Sequence, residues 1–289
     1  MTRPVCLITG TTSGIGTPTA AAMAAAGYEV IMACRNVPKA EEVAGALAEK
    51  TGNPDLHVVA CDLASLASVR RCAAEVVSRF PRLQVLINNA GTMTHGRQIS
   101  EDGLELTFAA NYLGPWLLTR LLLEPLGAGR PARIVNVASA AHRSGRLRLD
   151  DLTGEAAPPV TGMAAYARSK LGNVMATLSL AEQLAGTGVT ANCLHPGVVG
   201  TNITGRAGAF LRLGMKLAAP FMRSEAKGAE TTLHLALDPA VAGVSGRYFN
   251  EHGRPVAPAP AAADPEARRA LWAWSCRFCG LPEEVGEPA

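Results

Sequence analysis

A tyrosine and a lysine one helical turn apart are the residues of this chain best suited to proton transfer. Tyr166 and Lys170 precede an apolar-periodic run that continues to Leu184, which predicts a helix with both side chains on one face. A free phenol has a pKa of about 10, and an ammonium one turn away favours the phenolate. Such a pair can donate a proton to a carbonyl oxygen or accept one from an alcohol. Taken alone, the spacing also fits two surface residues that merely neighbour each other.

A glycine-rich turn has the features of a phosphate-binding loop. Gly10, Gly14 and Gly16 lie between a strand-like run, Pro4–Thr9, and an alanine-rich helical segment. Glycines in that position let backbone N–H groups approach a pyrophosphate at the helix N-terminus. The spacing is G-x-x-x-G-x-G rather than G-x-G-x-x-G. An ordinary tight turn is the alternative, which the strand–loop–helix context disfavours.

The end of the second predicted strand bears on which dinucleotide would bind. An acid there indicates NAD, whereas an arginine accommodates the 2′-phosphate of NADP. The run Ala33-Cys-Arg-Asn36 holds no acid and one arginine, Arg35. We therefore expect NADPH or NADP, with NAD the less favoured cofactor. Arg35 as a solvated strand-end residue is the alternative.

Seven short apolar runs alternate with helical patterns along the chain. This alternation predicts a Rossmann-type, doubly wound α/β fold with a mostly parallel seven-stranded sheet and helices on both faces. No linker divides residues 1–289, so we expect one domain, with an extended Pro/Ala connector, Pro255–Pro265, before a helical tail near residues 264–280. The predicted strands are Pro4–Thr9, Tyr28–Cys34, Leu56–Ala60, Leu83–Ile87, Ala132–Val137, Val189–Leu194 and Gly246–Phe249. The predicted helices are Thr17–Ala26, Pro38–Lys50, Leu66–Phe80, Glu105–Leu123, Met163–Leu184, Glu225–Leu237 and Pro265–Cys279.

Composition disfavours several classes of function. The 27 basic and 24 acidic residues nearly balance and aromatic residues make up 4%, so nothing indicates a nucleic-acid partner. The sequence has no uninterrupted apolar run of about 18 residues and no apolar leader of signal-peptide length. Seven irregularly spaced cysteines are not typical of a disulfide framework. We expect a cytoplasmic protein without a membrane span or a metal site.

The chain resembles the short-chain dehydrogenase/reductase superfamily over nearly its whole length, because it carries short motifs like those of the family in the same order. The loop Thr9–Gly16 looks like T-G-x-x-x-G-I-G, Asn88–Gly91 like N-N-A-G, and His195–Thr201 like the family's P-G turn. By this resemblance the catalytic residues are Asn111, Ser139, Tyr166 and Lys170. The cofactor would be bound by Gly10, Thr12, Ser13, Gly14, Ile15, Gly16, Arg35, Asn36, Asp62, Leu63, Asn89, Ala90, Gly91, Tyr166, Lys170, Pro196, Gly197, Val199 and Thr201.

A closer resemblance is to the retinol dehydrogenases, with the related WW-domain oxidoreductases and protochlorophyllide reductases. Those retinol enzymes commonly carry an N-terminal membrane anchor, and this sequence shows none. Many NADP-preferring relatives place a basic residue in or just after the glycine loop, where this chain has Ser13 and Thr17. Cofactor preference would therefore depend on Arg35, with Lys39 as a candidate helper. The stretches that carry this resemblance are Ala33–Asn36, Asn111–Thr119, Gly188–Val199 and Leu271–Cys276.

The resemblance implies hydride transfer between a nicotinamide and an alcohol or carbonyl substrate. Tyr166 would act as general acid in reduction and as general base in oxidation, while Lys170 lowers its pKa and bonds the nicotinamide ribose. Ser139 would hold the substrate oxygen, and Asn111 would kink its helix and hold a proton-carrying water. The alternative function is a cofactor-binding regulator without turnover, which would not need these four residues together.

The segment near residues 198–224 is predicted to be a lid over the substrate. Its apolar residues recur at roughly helical spacing, which favours a bulky hydrophobic carbonyl or alcohol as substrate. The same pattern fits a membrane surface or another subunit, so a homo-oligomer stays open. The apolar residues are Leu211, Leu213, Leu217, Phe221 and Met222.

Other conspicuous residues receive structural interpretations. Cys276 and Cys279 have C-x-x-C spacing but lie in the predicted tail helix, where helical packing accounts for them. His195, before the P-G turn, is interpreted as structural. Three arginines form a basic edge that we expect to be solvated, with contact to an acidic substrate group as the alternative: Arg143, Arg146 and Arg148.

Overall fold

One sheet of eight strands organises the part of the chain that the computed structural model describes, residues 3–94, 96–148, 150–153, 162–200 and 223–285. The strand order is β3-β2-β1-β4-β5-β6-β7-β8, and every neighbouring pair is parallel except β7 with β8. The strands are β1 Val5–Thr9, β2 Glu29–Cys34, β3 Leu56–Ala60, β4 Val85–Asn88, β5 Ala132–Val137, β6 Val189–Leu194, β7 Tyr248–Phe249 and β8 Pro255–Val256.

Helices connect the strands and cover both faces of the sheet. They are α1 Gly16–Ala25, α2 Val37–Thr51, α3 Leu66–Arg79, α4 Leu106–Phe108, a π-helix Ala109–Leu113, α5 Gly114–Leu121, α6 Leu123–Ala128, a 3-10 helix Ala140–Ser144, α7 Gly162–Gln183, α8 Glu225–Leu237, a 3-10 helix Pro239–Val241, α9 Pro260–Ala263 and α10 Pro265–Cys279. This is the doubly wound α/β architecture that the strand–helix alternation predicts.

The parallel strands are apolar throughout because both of their faces are buried. Side chains of a strand alternate between the two faces of the sheet. In β1, Leu7 packs into one apolar cluster, whereas Cys6 and Ile8 pack into the cluster on the opposite face. This double burial explains why the strands show continuous apolar runs rather than alternation with polar residues.

The predicted count of seven strands is wrong by one. The additional strand is β8, which pairs antiparallel with β7 through Tyr248 with Val256 and Phe249 with Pro255. Its two residues lie within the Pro/Ala tract that was predicted to be an extended connector. A proline at an outer position of the sheet is tolerated because it need not donate to a further strand.

The predicted helix Glu105–Leu123 is divided in the structure. Glu105 is a cap rather than a helical residue, because its carboxylate accepts from Thr107 N at 2.8 Å and Phe108 N at 2.9 Å. A π-helical turn surrounds Asn111, where the sequence predicted a kink. A π-turn inserts one residue without ending the helical pattern, so periodicity alone cannot locate it.

The tail helix α10 has the predicted bounds, and its capping residues define them. The Asp264 carboxylate accepts from Glu266 N at 2.9 Å and Ala267 N at 3.2 Å, and the helix ends at Gly280 with φ 62°. Cys276 and Cys279 are buried in this helix, as the packing interpretation predicts, and all seven cysteines of the chain are free thiols.

The remaining predictions concern the lid, the membrane, the location and the number of domains. The proposed lid residues, Leu211 to Met222, lie outside the described residues. No helix within the described ranges combines the length and apolarity that crossing a bilayer requires. The cytoplasmic location and the single-domain organisation stay predictions.

Candidate active site

A cleft of about 590 Å³ runs along the carboxyl ends of the parallel strands. Much of its wall is made by residues at or just after the ends of β1 to β6, so the strand order places them side by side. Arg35 and Asp62, after β2 and β3, line one part of the cleft, and Ser139 and Pro196, after β5 and β6, line another. Ligand sites of open parallel sheets lie in this position.

Nearly all predicted site residues meet in this cleft. Gly16 is not among those lining it, and Thr201 lies outside the described residues. The predicted residues that line the cleft are Gly10, Thr12, Ser13, Gly14, Ile15, Arg35, Asn36, Asp62, Leu63, Asn89, Ala90, Gly91, Asn111, Ser139, Tyr166, Lys170, Pro196, Gly197 and Val199.

The glycine loop is packed from behind by its own chain and by the segment after β4. Gly10 has φ 72°, and a Cβ there would lie 2.9 Å from Ala90 Cβ. A Cβ at Gly16 would lie 2.0 Å from Gly10 O and 2.7 Å from Asn89 Nδ2. Glycine at position 16 therefore lets α1 begin directly against the loop, and the contact of Gly16 with the cofactor stays a prediction.

The N-terminus of α1 opens toward the cleft without a side-chain cap. Ile15 occupies the cap position and makes no side-chain hydrogen bond, and the first turn contains no acidic residue. By contrast, Asn36 caps α2 and Ser65 caps α3 with side-chain oxygens. The N-terminal N–H groups of α1 therefore meet no side-chain acceptor, which is the condition under which a helix end binds a phosphate.

Arg35 lies exposed on the cleft wall at the end of β2. Among the described residues it forms no ion pair, so its guanidinium is available to an anionic ligand. Neighbouring Asn36 directs its Oδ1 to Lys39 N at 3.2 Å, which fixes the start of α2. Lys39, the candidate helper, is exposed and does not line the cleft.

Tyr166, Ser139 and Lys170 converge from two elements. Tyr166 and Lys170 lie on α7, and Lys170 Nζ is 5.6 Å from the Tyr166 ring centroid, so the predicted common face is confirmed. Ser139 follows β5, and its side chain lies near the Tyr166 hydroxyl. Lys170 is 2% exposed, and its Nζ donates to Val137 O at 2.8 Å.

Burial controls the proton affinities of this group. It raises the pKa of Tyr166, and the neighbouring Ser139 side chain opposes that rise. It lowers the pKa of Lys170 to about 8, because a buried ammonium loses its hydration. Burial therefore dominates at Tyr166, and the lowering of its pKa by Lys170, which the spacing predicts, stays a prediction.

Asn111 is buried at the base of the site and joins three segments. Its Oδ1 accepts from Thr92 N at 2.7 Å, and its Nδ2 donates to Thr92 O at 2.8 Å and to Ser169 Oγ at 3.1 Å. Ser169 Oγ in turn donates to Tyr166 O at 2.7 Å. The π-helix, the segment after β4 and the turn of α7 that carries Tyr166 are therefore held together through one amide.

The P-G turn after β6 is held from outside the cleft by Arg223 and Glu251, which sequence reasoning did not identify, together with His195. Arg223 Nη1 donates to Pro196 O at 3.2 Å and to Glu251 O at 2.8 Å. His195 Nε2 lies 2.7 Å from a carboxylate oxygen of Glu251, and its Nδ1 lies 2.7 Å from the Tyr248 hydroxyl. His195 is thus a structural residue, as interpreted from the sequence.

His142 supports Ser139 in a similar way. It is fully buried; its Nδ1 lies 2.7 Å from Ser139 O, and its Nε2 accepts from Ala259 N at 3.0 Å. Because Nε2 accepts, Nδ1 carries the ring proton and donates to Ser139 O. Burial is the main cause that lowers the pKa of His142 and keeps the imidazole neutral.

Several cleft residues other than the predicted ones enlarge the apolar part of the site. Thr92 and Met93 follow the N-N-A-G motif directly, and Met163 precedes Tyr166 by three residues, so adjacency to a motif was the available signal. The additional apolar lining residues include Met93, Leu106, Ala110, Met163 and Val198. Met163 and Val198 are 48% and 67% exposed.

The predicted basic edge lies outside the cleft. Arg143 Nη2 donates to Ala257 O at 2.8 Å, and Arg148 pairs with Asp150 at 3.1 Å on the surface. Arg146 is exposed, and none of the three arginines is among the residues that line the cleft. The solvated interpretation of this edge is therefore the one that the structure supports.

Comparisons with known proteins agree with the fold and the branch inferred from the motifs. The family model for short chain dehydrogenases matches residues 4–150 and 152–212. Retinol dehydrogenase 12 of Mus musculus is 41% identical over 280 residues, which cover 97% of this chain and 87% of that protein. Retinol dehydrogenase 13 of Homo sapiens is 41% identical over 281 residues, which cover 95% of this chain and 84% of that protein.

Solved structures of similar chains include complexes with both nicotinamide cofactors. An uncharacterized protein from Mycobacterium Paratuberculosis aligns with a TM-score of 0.75 and 31% identity, over 98% of this chain and 94% of that one. A variant of actinorhodin polyketide ketoreductase with NADPH aligns with a TM-score of 0.66 and 27% identity, over 86% of this chain and 95% of that one. A 3-ketoacyl-(acyl-carrier-protein) reductase from Brucella melitensis complexed with NADH aligns with a TM-score of 0.64 and 27% identity, over 86% of this chain and 96% of that one.

The matched residues cover most of the chain and include every motif that lines the cleft. The chain therefore belongs to the short-chain dehydrogenase/reductase family, in its retinol dehydrogenase-like branch, and is a nicotinamide-dependent oxidoreductase acting on alcohol or carbonyl groups.

Proposed function

We propose that the protein is an NADPH-dependent ketoreductase or alcohol dehydrogenase whose substrate is a bulky hydrophobic carbonyl or alcohol. The observation that carries this proposal is the meeting of Tyr166, Ser139 and Lys170 at one part of a cleft whose other part presents Arg35. The nicotinamide supplies or accepts the hydride when the cofactor is bound.

The donor set of the cleft fits a dinucleotide. The uncapped N-terminus of α1 provides backbone N–H groups for a pyrophosphate, and Gly10 and Gly14 hold the loop in backbone conformations with positive φ. Arg35 provides a cation for a 2′-phosphate, and Asp62 lies after the next strand as a hydrogen-bond acceptor. NADPH is preferred in this proposal because no acidic residue follows β2, where NAD-specific sites place one.

Tyr166 is the proton donor in reduction and the acceptor in oxidation. Its hydroxyl lies near the Ser139 side chain, so a substrate oxygen held by Ser139 would lie within reach of the same proton. Ser139 would stabilise the charge that develops on that oxygen. Lys170, held by Val137 O, places an ammonium beside the phenol and favours its ionised form during oxidation.

The apolar lining supports a bulky, uncharged substrate. Met93, Leu106, Met163 and Val198 line the cleft, and its charged lining residues within the described ranges are Arg35, Asp62 and Lys170. Retinol, a bulky apolar alcohol, appears in the names of the similar proteins. A steroid, terpenoid, polyketide or retinoid carbonyl fits the same chemistry.

A direct assay tests this function. The purified protein is mixed with NADPH and a panel of ketones that range from small to bulky, and the loss of NADPH absorbance is followed. We expect turnover of bulky ketones, and a much slower reaction with NADH. Tight NADPH binding without turnover of any ketone or alcohol would favour the second function, a cofactor-binding regulator.

A further inference from the structure

A glycine behind the cleft joins its two cofactor-facing loops. Gly228 lies on the first turn of α8 and is buried. A Cβ built on Gly228 would lie 2.7 Å from Val199 Cγ2 and 3.1 Å from Ile15 Cγ1. Ile15 belongs to the glycine loop and Val199 to the turn after β6, and both line the cleft.

The contact has little room to relax. Val199 is β-branched with restricted χ1, and its backbone is paired with Arg223, whose N donates to Val198 O at 2.9 Å and whose O accepts from Gly200 N at 3.3 Å. Ile15 is 7% exposed and fixed at the start of α1. The helix α8 prevents the side chains of Val199 and Ile15 from moving away from the cleft. A methyl group at position 228 would therefore displace Val199 or Ile15 toward the cleft.

We infer that Gly228 is a positioning residue that sets the separation of the glycine loop and the P-G turn, and thereby the width of the cleft between them. Its missing side chain lets the two loops meet against α8 while leaving the cleft open on the other side. The inference rests on the proposed function and deepens it, because the glycine loop is assigned there to the pyrophosphate and the residues of the P-G turn are predicted to bind the same cofactor.

The test compares two glycine-to-alanine changes within helices. Gly228→Ala should weaken NADPH binding at least tenfold, measured by nucleotide titration. Gly45→Ala is the matched control, because Gly45 lies exposed in α2 with no atom within 4 Å of an added Cβ. Both substitutions raise the helix propensity equally, because each replaces a helical glycine by alanine. The control protein should nevertheless bind NADPH as the wild type does.

A second substitution separates crowding from a general loss of structure. Val199→Ala removes the atom nearest to the added methyl group, so Gly228→Ala with Val199→Ala should recover most of the lost binding. In thermal unfolding, Val199→Ala should destabilise the wild type and stabilise the Gly228→Ala protein. This reversal in the sign of the stability change caused by Val199→Ala can be measured without cofactor and without turnover.

The outcomes distinguish failure of this inference from failure of the proposed function. Unchanged NADPH binding in Gly228→Ala, or no recovery on adding Val199→Ala, overturns the inference. The same unfolding effect of Val199→Ala in both backgrounds also overturns it. A wild type that turns over no carbonyl overturns the proposed function, while the unfolding measurements still decide whether Gly228 sets the contact.

Discussion

Arg35→Asp gives the sharpest test of the cofactor assignment, because its effect can be worked from charge alone. Two unit charges about 4 Å apart in water interact by about 1 kcal/mol, and a phosphate monoester carries about −1.5 to −2 charges at neutral pH. The exposed Arg35 should therefore favour NADPH over NADH by about 1.5–2 kcal/mol. At about 1.4 kcal/mol per tenfold change in affinity, this is roughly 10- to 30-fold.

The substitution reverses the sign of that interaction. An aspartate repels the 2′-phosphate and accepts a hydrogen bond from a free ribose 2′-hydroxyl, so NADH should become the tighter ligand. Kd values for both nucleotides are measured by titration calorimetry on the wild type and the variant. Because exposed charges are screened over about 3 Å in 1 M salt but about 30 Å in 0.01 M salt, the wild-type preference should shrink as salt increases.

Lys39→Gln is the matched control for Arg35→Asp. It removes a cation from the first turn of α2 that is not on the cleft wall, so the preference for NADPH should stay within about twofold. Equal affinities of the wild type for the two nucleotides, or a preference that salt does not alter, would refute the reasoning from Arg35.

The remaining predictions concern proton transfer, substrate size and packing. Tyr166→Phe should leave NADPH affinity nearly unchanged and lower turnover about 10²-fold or more; near-normal turnover would contradict the proton route. Replacing Leu213 and Leu217 by serine should raise KM for a bulky ketone but not for a small one, at about 1.5–3 kcal/mol per lost contact. An equal loss of activity toward both ketones, together with an altered oligomeric mass in light scattering, would indicate a subunit contact instead. Arg223→Gln should lower the free energy of unfolding by about 1 kcal/mol in chemical denaturation, since two carbonyls lose their donor, whereas Lys227→Gln, on the surface, should not. Burial lowers the pKa of Lys170 from 10.5 to about 8, so between these two pH values the unfolded chain binds more protons than the folded one. Lys170 therefore makes the free energy of unfolding rise with pH in this range, and Lys170→Met should reduce that rise in chemical denaturation.

The candidate site residues were readable from the sequence because they lie at the ends of regular elements. Ser139 follows β5 by two residues, and Arg35 follows β2 directly, so locating each strand also located its candidate residue. The parallel order then brings these ends to one edge of the sheet. The same logic failed for β8, because a strand of two residues, one of them a proline, has no periodicity to detect.

The residues that hold the site in shape gave no local signal. Arg223 contacts Pro196, 27 positions away, and His142 contacts Ala259, 117 positions away. Their partners are backbone atoms, which every residue has, so no pairing of residue types marks such contacts in a sequence. Gly228 is harder still to recognise, because its contribution is an absent side chain that matters only where Val199 and Ile15 meet.

The pair at the centre of the site shows where spacing stops being informative. The i, i+4 relation placed Lys170 and Tyr166 on one face of α7, and the structure agrees. It did not determine the direction of the ammonium, which is fixed by Val137 O on β5, the strand that also leads to Ser139. Nor did it determine the pKa of Tyr166, which burial raises. The position of the ammonium beside the phenol therefore depends on the contact between α7 and β5, and a change at either element should alter the proposed proton transfer while leaving the motif intact.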